Sequence, residues 1–330
     1  MVWSEILEHQ DVLEGFRRAV ARGRLASTFL FVGPEGIGKR TFAITLAQAL
    51  LCEASSESEL EACGECSSCQ QVRAGTHPDL ELVSKPGDKA YIPLEVFIGD
   101  KEHRNREGLC HRIALKPMRG DRKIAIIDDA DYLNVEGANC LLKTLEEPPP
   151  RSVIILIGSS LQRQLPTIRS RCQIIRFQPL RRESVAQLLI NHQLAESEGE
   201  ARMLAEVSGG SVQDALRLSD PQLREFRARL VDDLASGADN SVALAKEIVQ
   251  FVDAAGKDAP PRRARLRQVA NWAAEYFAQA MREHAADAVA AEQDAIRAER
   301  CLAVINYVDA NANLTSVVEA WIDDLAHCPV

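Results

Sequence analysis

A chain of 330 residues is long enough for about two or three domains. Its hydrophobic content of 46% is typical of a packed globular protein, and no apolar run approaches the length of a membrane-spanning helix. Because the net charge is −9, the molecule as a whole is not expected to bind polyanions. Contact with DNA therefore requires a local basic patch or partner subunits. The nine cysteines are unevenly spaced and no secretory leader is apparent, which indicates a cytoplasmic protein that uses cysteine for metal binding.

A glycine-rich loop is the first motif along the chain that carries chemistry. It lies between an apolar segment, residues 28–32, and a helix-like segment, residues 42–51, which is the strand–loop–helix order of a P-loop. Glycines let backbone N–H groups turn inward and cradle phosphate oxygens, and Lys39 would reach the β- and γ-phosphates. The simpler alternative is a glycine-rich turn before a core helix. The residues assigned to nucleotide binding here are Gly33, Gly36, Gly38, Lys39, Arg40 and Thr41.

The loop departs from the P-loop pattern at the position of the magnesium ligand. The pattern G-x-x-x-x-G-K-[ST] is followed through Lys39, but the next residue is Arg40, and Thr41 comes one position later. The hydroxyl at that position normally ligates Mg²⁺. The sequence therefore predicts a nucleotide-binding fold in which ATP with Mg²⁺ is a candidate ligand and hydrolysis is disfavoured.

Four cysteines follow the predicted P-loop helix with the spacing C-x10-C-x2-C-x2-C. Each C-x2-C pair can hold one ion through a small turn, and four thiolates complete a tetrahedral zinc site that leaves no position for water. We therefore expect a structural Zn²⁺ site, and the alternative is a set of free thiols in a polar loop. The predicted ligands are Cys52, Cys63, Cys66 and Cys69.

Apolar segments that alternate with helical ones predict an α/β fold with a parallel, doubly wound sheet. The third predicted strand ends in Asp128 and Asp129, an arrangement in which the first acid holds the Mg²⁺ shell and the second orients the attacking water. Capping of a strand end is the alternative role for these acids. Ser159 follows the fourth strand, where polar groups meet a ligand in a parallel sheet. The predicted strands after the P-loop are residues 79–83, 122–127, 152–157 and 173–177, and a helix is predicted over residues 104–115.

The character of the chain changes after the fifth predicted strand. Residues 179–220 are helical, and residues 221–330 carry no strand signal and consist of long helices rich in Ala, Leu, Glu and Arg. We therefore predict three domains. They are a nucleotide-binding domain over residues 1–178, with a zinc module over residues 52–69, a small helical domain over residues 179–220 and an all-α domain over residues 221–330.

Three motifs carry a resemblance to a known family. Residues 141–149 read L-L-K-T-L-E-E-P-P, residues 170–172 read S-R-C, and the cysteine cluster directly follows the P-loop helix. Together with the P-loop, these motifs resemble the AAA+ clamp-loader subunits of bacterial DNA polymerase III over residues 3–220. The segment N-A-N-L at residues 311–314 is similar to part of the family's collar domain. The resemblance implies an AAA+ P-loop sheet domain, a helical lid domain and an all-α collar domain for oligomerisation.

This family includes gamma/tau, the ATP-hydrolysing motor, and delta prime, the stationary partner that closes the ring. Several departures favour the delta prime type: Arg40 replaces the magnesium-binding hydroxyl, and Gln213 stands where the motor has its sensor 2 arginine. Asp129 is one methylene shorter than the usual glutamate, whereas Ser159 keeps a hydroxyl at the sensor 1 position. We also expect the chain to end after the collar, without a tau-like extension. We expect its own ATPase activity to be weak or absent, and leave open whether it is an enzyme.

The resemblance implies a role in loading the sliding clamp onto primed DNA, within a cytoplasmic hetero-oligomer that also contains delta and gamma/tau and belongs to the DNA polymerase III holoenzyme. No membrane contact is expected. Arg171, in the S-R-C motif, is the implied catalytic residue, an arginine finger that reaches in trans to the γ-phosphate of ATP on a neighbouring subunit. Two further functions stay open: a gamma/tau-like motor or autonomous AAA+ ATPase, and an interaction scaffold with a vestigial site.

Overall fold

The computed structural model describes residues 3, 6–87, 89, 91–236 and 241–327. The chain divides into two compact units, Met1–Ala215 and Leu216–Val330. The first unit contains the β-sheet, and the described residues of the second unit contain helices and turns without a strand. The finer division at residues 178 and 220 stays a prediction.

The first unit is built on a five-stranded sheet in which every neighbouring pair is parallel, with the strand order β2-β3-β4-β1-β5. Strands β1, β3 and β4 are buried along their whole length, which explains why they read as continuous apolar runs rather than as alternating ones. The predicted α/β fold with a parallel sheet is confirmed. The strands are β1 (Thr28–Val32), β2 (Leu80–Val83), β3 (Lys123–Ile127), β4 (Ser152–Gly158) and β5 (Gln173–Arg176).

The register of the strands brings the predicted site residues to one edge of the sheet. Val32 at the end of β1 is paired with Gly158 at the end of β4, and Ile127 at the end of β3 is paired with Leu156. The P-loop, Asp128 and Ser159 each follow one of these strand ends in the chain. They therefore all emerge at the carboxyl edge, where ligands bind in open parallel sheets.

Ten α-helices are described in the segment that contains the sheet. The P-loop helix α2 is buried on nearly all sides, as expected for a helix that is apolar all round. Its Phe42 packs against Phe31 of β1 and against Phe177, with ring centroids 6.0 and 5.2 Å away. The helices are α1 (Gln10–Ala21), α2 (Lys39–Leu51), α3 (Ser67–Ala74), α4 (Glu95–Ile98), α5 (Leu109–Ala114), α6 (Val135–Glu146), α7 (Pro166–Arg169), α8 (Arg182–Asn191), α9 (Glu198–Val207) and α10 (Val212–Arg217).

The helix predicted over residues 104–115 is shorter than expected and covers only Leu109–Ala114. Gly108 precedes it with a φ of +86°, which is incompatible with a helix interior. A Cβ on Gly108 would lie 2.5 Å from the backbone nitrogen of Gly99, so the chain there folds back closely on itself. The backbone N–H of Asn105 donates to the carbonyl of Ile98 at 2.7 Å and closes this turn.

The second unit contains five long helices among its described residues. Helices α13 and α14 form the most extensive helix pair, with buried aromatic residues Trp272 and Phe277 on α13 and a buried Trp321 on α15. Asn313, in the N-A-N-L segment, caps α15 by accepting a hydrogen bond from the N–H of Ser316 at 3.1 Å. The helices are α11 (Pro221–Ala235), α12 (Ser241–Asp253), α13 (Ala259–Glu283), α14 (Ala288–Asp309) and α15 (Leu314–Ala326).

Candidate nucleotide site and cysteine cluster

The loop between β1 and α2 has the backbone geometry of a phosphate-binding loop. Gly36 and Gly38 have φ values of +70° and +94°, a region that residues with a Cβ rarely enter. Gly38 is the N-cap of α2, so the first N–H groups of that helix face the loop. Because these N–H groups and the helix dipole favour anions, the loop can hold a phosphate group.

Lys39, the first residue of α2, has its ammonium group folded over the loop. Nζ donates hydrogen bonds to the carbonyl oxygens of Gly33, at 2.5 Å, and of Pro34. The side chain is buried, and burial lowers the pKa of its ammonium group, although Glu35 and the nearby acids oppose that shift. The loop carbonyls thus hold the ammonium group close to the loop. A phosphate bound in the loop would attract it away from them.

Asp128, the first acid after β3, is paired with Arg40. Nε of Arg40 lies 3.3 Å from Oδ2 of Asp128, and the Arg40 side chain is 57% exposed. Burial is the main cause of a raised pKa for the Asp128 carboxyl, Asp129 adds to it, and Arg40 and Lys39 partly offset it. The carboxylate expected in the Mg²⁺ shell therefore has a guanidinium group as its neighbour.

Asp129, the second acid, has a left-handed backbone conformation with a φ of 56°. Its Oδ2 accepts a hydrogen bond from the backbone N–H of Lys85 at 3.2 Å, in the segment that follows β2. The carboxylate thereby joins the ends of β2 and β3. This contact gives Asp129 a structural role next to the role in water activation that the sequence suggests.

Asp131 is a residue that the sequence reasoning did not assign. One carboxylate oxygen accepts from the backbone N–H of Ser159 at 2.8 Å, and the other accepts from the side-chain amide of Gln164. Gly158 leaves room for this contact, since a Cβ there would lie 2.8 Å from Asp131 Oδ1. Asp131 thus fixes the segment that carries Ser159. The run D-D-A-D after β3 was the sequence signal for Asp131, but it did not show that Ser159 and Gln164 would be its partners.

The segment that contains Gln213 packs directly on the P-loop. The backbone N–H of Val212 donates to the carbonyl of Gly36 at 3.0 Å. A Cβ on Gly36 would lie 2.5 Å from Cβ of Gln213 and 2.8 Å from its backbone nitrogen. Gln213, which the resemblance places at the sensor 2 position, therefore adjoins the glycine loop and carries an uncharged amide.

Arg171 lies at the opposite end of β1 from the P-loop. Its carbonyl accepts from Oγ1 of Thr28, the first residue of β1, at 2.7 Å. The guanidinium group is held by Glu146 at the end of α6, with Nε 2.7 Å from Oε1, and by the carbonyl of Thr167, 2.9 Å from Nη1. The side chain is 29% exposed. Arg171 is therefore remote from the nucleotide site of its own chain.

The four predicted cysteine ligands converge. All their Sγ atoms lie within 4.8 Å of one another, and those of Cys63 and Cys69 are 3.9 Å apart. Any two sulfur atoms of a zinc tetrahedron with Zn–S bonds of about 2.3 Å lie at a similar separation. The backbone N–H of Cys63 donates to Sγ of Cys52 at 3.5 Å. The backbone N–H of Cys69 donates to Sγ of Cys66 at 3.4 Å. This cluster could hold a metal ion.

The pKa shifts of these thiols favour the thiolate form at Cys52 and Cys66. Burial opposes ionisation of Cys52, but backbone N–H groups of Cys63 and Ala54 outweigh it and lower the pKa of Cys52 to about 6. The pKa of Cys66 is also lowered, by backbone hydrogen bonds that outweigh its burial, whereas burial raises the pKa of Cys69. A cation at the centre would favour the thiolate form of all four side chains.

A buried polar pair supports α3, the helix that contributes Cys69. Oγ of Ser68 donates to the carbonyl of Leu51 at 2.5 Å and lies 3.0 Å from Nε2 of His77. Nδ1 of His77 accepts from the backbone N–H of Asp79 at 3.1 Å, so this ring is neutral with its proton on Nε2. These bonds connect the cysteine cluster to the end of α2 and to the start of β2.

Every helix in the described part of the chain is too short or too polar to cross a lipid bilayer. Comparison with known proteins finds similarity to DNA polymerase III subunit delta' of Pseudomonas aeruginosa, 38% identical over 64% of this chain and 61% of the relative. Subunit delta' of Bacillus subtilis is 33% identical over 69% of this chain and 65% of the relative. Subunit tau of Escherichia coli is 29% identical over 66% of this chain and 32% of the relative.

The matched region thus spans less than two thirds of the length of these relatives. The family described as DNA polymerase III, delta subunit, matches residues 8–181, which cover the whole sheet and its site edge. The chain therefore belongs to the DNA polymerase III delta subunit family.

Proposed function

We propose that this chain is a delta prime-like subunit of a bacterial clamp loader, which helps to load the sliding clamp onto primed DNA and hydrolyses ATP weakly or not at all. The observation that carries the choice of subunit is the neutral Gln213 packed against Gly36. An arginine at this place would neutralise charge that develops on the γ-phosphate, and an amide cannot. Identities of 38% and 33% to delta' relatives, against 29% to a tau subunit, support the same choice.

The chemical contribution of the chain would come from Arg171, acting on ATP bound by a neighbouring subunit. Its distance from the P-loop of its own chain, at the other end of β1, supports action in trans. A guanidinium group that reaches a neighbour's γ-phosphate contributes about 10³–10⁵ in rate at that site. Arg171 would first leave Glu146, its partner in the free chain.

The metal in the cysteine cluster would be a structural Zn²⁺ bound by Cys52, Cys63, Cys66 and Cys69. The all-sulfur ligand set and the separation of 3.9 Å between two of the sulfur atoms support zinc. A closed set of four thiolates leaves no position for water or substrate, so the ion would stabilise residues 52–69 rather than take part in chemistry.

The partners would be the delta and gamma/tau subunits in a cytoplasmic hetero-oligomer, with the sliding clamp and DNA engaged by the whole assembly. The net charge of −9 supports DNA contact through the complex rather than through the isolated chain. ATP would bind at the P-loop, where the glycines and Lys39 are present.

The decisive experiment measures nucleotide binding and ATP turnover by the isolated chain and by a complex reconstituted with delta, gamma/tau and clamp. We expect the isolated chain to show little turnover, and the complex to lose DNA-stimulated turnover and clamp loading when this chain carries Arg171→Ala. Rapid turnover by the isolated chain, abolished by Lys39→Ala, would establish a gamma/tau-like motor or an autonomous ATPase instead. Full activity of a correctly assembled Arg171→Ala complex would reduce the chain to a scaffold.

A further inference from the structure

The ion pair between Arg40 and Asp128 lies where the P-loop pattern requires a divalent cation. A hydroxyl at position 40 and the carboxylate after β3 normally hold Mg²⁺ between them. Here the first group is itself a cation, and its Nε lies 3.3 Å from the carboxylate. A magnesium ion would have to displace this guanidinium and would then be repelled by it. The residues present therefore do not fit Mg²⁺.

Two neighbouring groups that could compensate are placed elsewhere. Thr41 carries a hydroxyl, but it is exposed, and successive residues of an α-helix are rotated by about 100° around the axis. Its side chain therefore faces a different direction from that of Arg40. Asp129 accepts a hydrogen bond from the backbone N–H of Lys85, so its carboxylate is directed at the end of β2.

The cationic groups at this end of α2 form a site suited to a polyphosphate without a metal. The ammonium group of Lys39 and the N–H groups of the first helical turn face the loop, and the guanidinium of Arg40, the next residue, lies beside Asp128. Guanidinium groups bind phosphate oxygens through paired hydrogen bonds. We propose that this site binds a nucleoside di- or triphosphate as the metal-free anion, with Arg40 in the place of Mg²⁺. The proposal rests on the nucleotide binding proposed above.

The test measures ATP binding to the isolated full-length chain by titration calorimetry, once with excess Mg²⁺ and once with EDTA. We expect the natural chain to bind ATP about tenfold more tightly with EDTA than with excess Mg²⁺, because Mg²⁺ in solution converts the free anion into the metal complex that this site does not accept. In Arg40→Thr, which restores the hydroxyl, binding should be about tenfold tighter with Mg²⁺ than with EDTA, a difference of about 1.4 kcal/mol. Lys39→Ala should weaken binding equally under both conditions.

A matched control is Arg202→Thr on α9, because Arg202 forms an exposed ion pair with Glu198 at the same distance of 3.3 Å. It should bind ATP as the natural chain does under both conditions. Binding by the natural chain that is as tight with Mg²⁺ as with EDTA, or tighter, would overturn the proposal, as would Arg40→Thr that still binds more tightly with EDTA. Absence of ATP binding under both conditions would overturn it too, while clamp loading by the reconstituted complex would still decide the proposed subunit role.

Discussion

Replacement of Gly36 by alanine should separate the P-loop from the segment that contains Gln213. The new Cβ would lie 2.5 Å from Cβ of Gln213 and 2.8 Å from its backbone nitrogen, distances at which one side must move. The left-handed conformation at Gly36, with φ of +70°, costs an alanine about 1–2 kcal/mol. Overpacking costs about 1–3 kcal/mol more, so Gly36→Ala should lower the free energy of unfolding by about 2–5 kcal/mol.

Gly38 supplies the matched control, because its φ is +94° but a Cβ there would meet nothing within 4 Å. Gly38→Ala should therefore show only the conformational cost of about 1–2 kcal/mol. Urea denaturation measures both losses of stability. Hydrogen exchange of the Val212 N–H, which donates to Gly36 at 3.0 Å, reports the contact itself and should accelerate only in Gly36→Ala. Equal destabilisation and unchanged Val212 exchange in both variants would refute this packing argument.

Three further predictions concern the metal in the cysteine cluster, the role of Arg171 and the dependence of stability on pH. Metal analysis should find one zinc ion per chain in the purified natural protein and well below one in Cys66→Ser. Hydrogen exchange should show that the loss of order in Cys66→Ser is local. Arg171→Lys should fail to rescue the turnover lost in Arg171→Ala, because lysine lacks the planar fork, whereas Glu146→Gln should preserve it in the assembled complex. Burial lowers the pKa of the His77 ring below 6.5. The unfolded chain therefore takes up a proton on this ring at a higher pH than the folded chain does, and the free energy of unfolding should fall as the pH drops below about 6.5. Denaturation at several pH values should show a weaker pH dependence in His77→Gln.

The strands and the P-loop helix were predictable because each is specified by local sequence. Short continuous apolar runs such as Thr28–Val32 and Ser152–Gly158 are typical of strands buried on both faces. Glycines at positions 36 and 38 allow the φ values of +70° and +94° that a phosphate loop needs. The spacing of the four cysteines likewise indicated a metal cluster, since each C-x2-C pair closes a short turn.

Contacts between residues far apart in the chain were beyond the reach of these patterns. The helix predicted over residues 104–115 was too long because Gly108 approaches the backbone of Gly99, a tertiary contact that local propensity does not register. The same limit applied to Asp131, whose partners Ser159 and Gln164 lie about one strand further along the chain.

The sequence by itself determined which chemistry was available: a glycine loop with one lysine, an arginine in place of a hydroxyl, two successive acids and four thiols. Only the tertiary structure decided which of these groups meet. The parallel register placed Asp128 beside Arg40, and the fold placed Gln213 on Gly36 and Arg171 at the far end of β1. The physical reason is that side-chain identity is local, whereas an ion pair or a steric contact depends on the packing of elements that the chain connects only at long range.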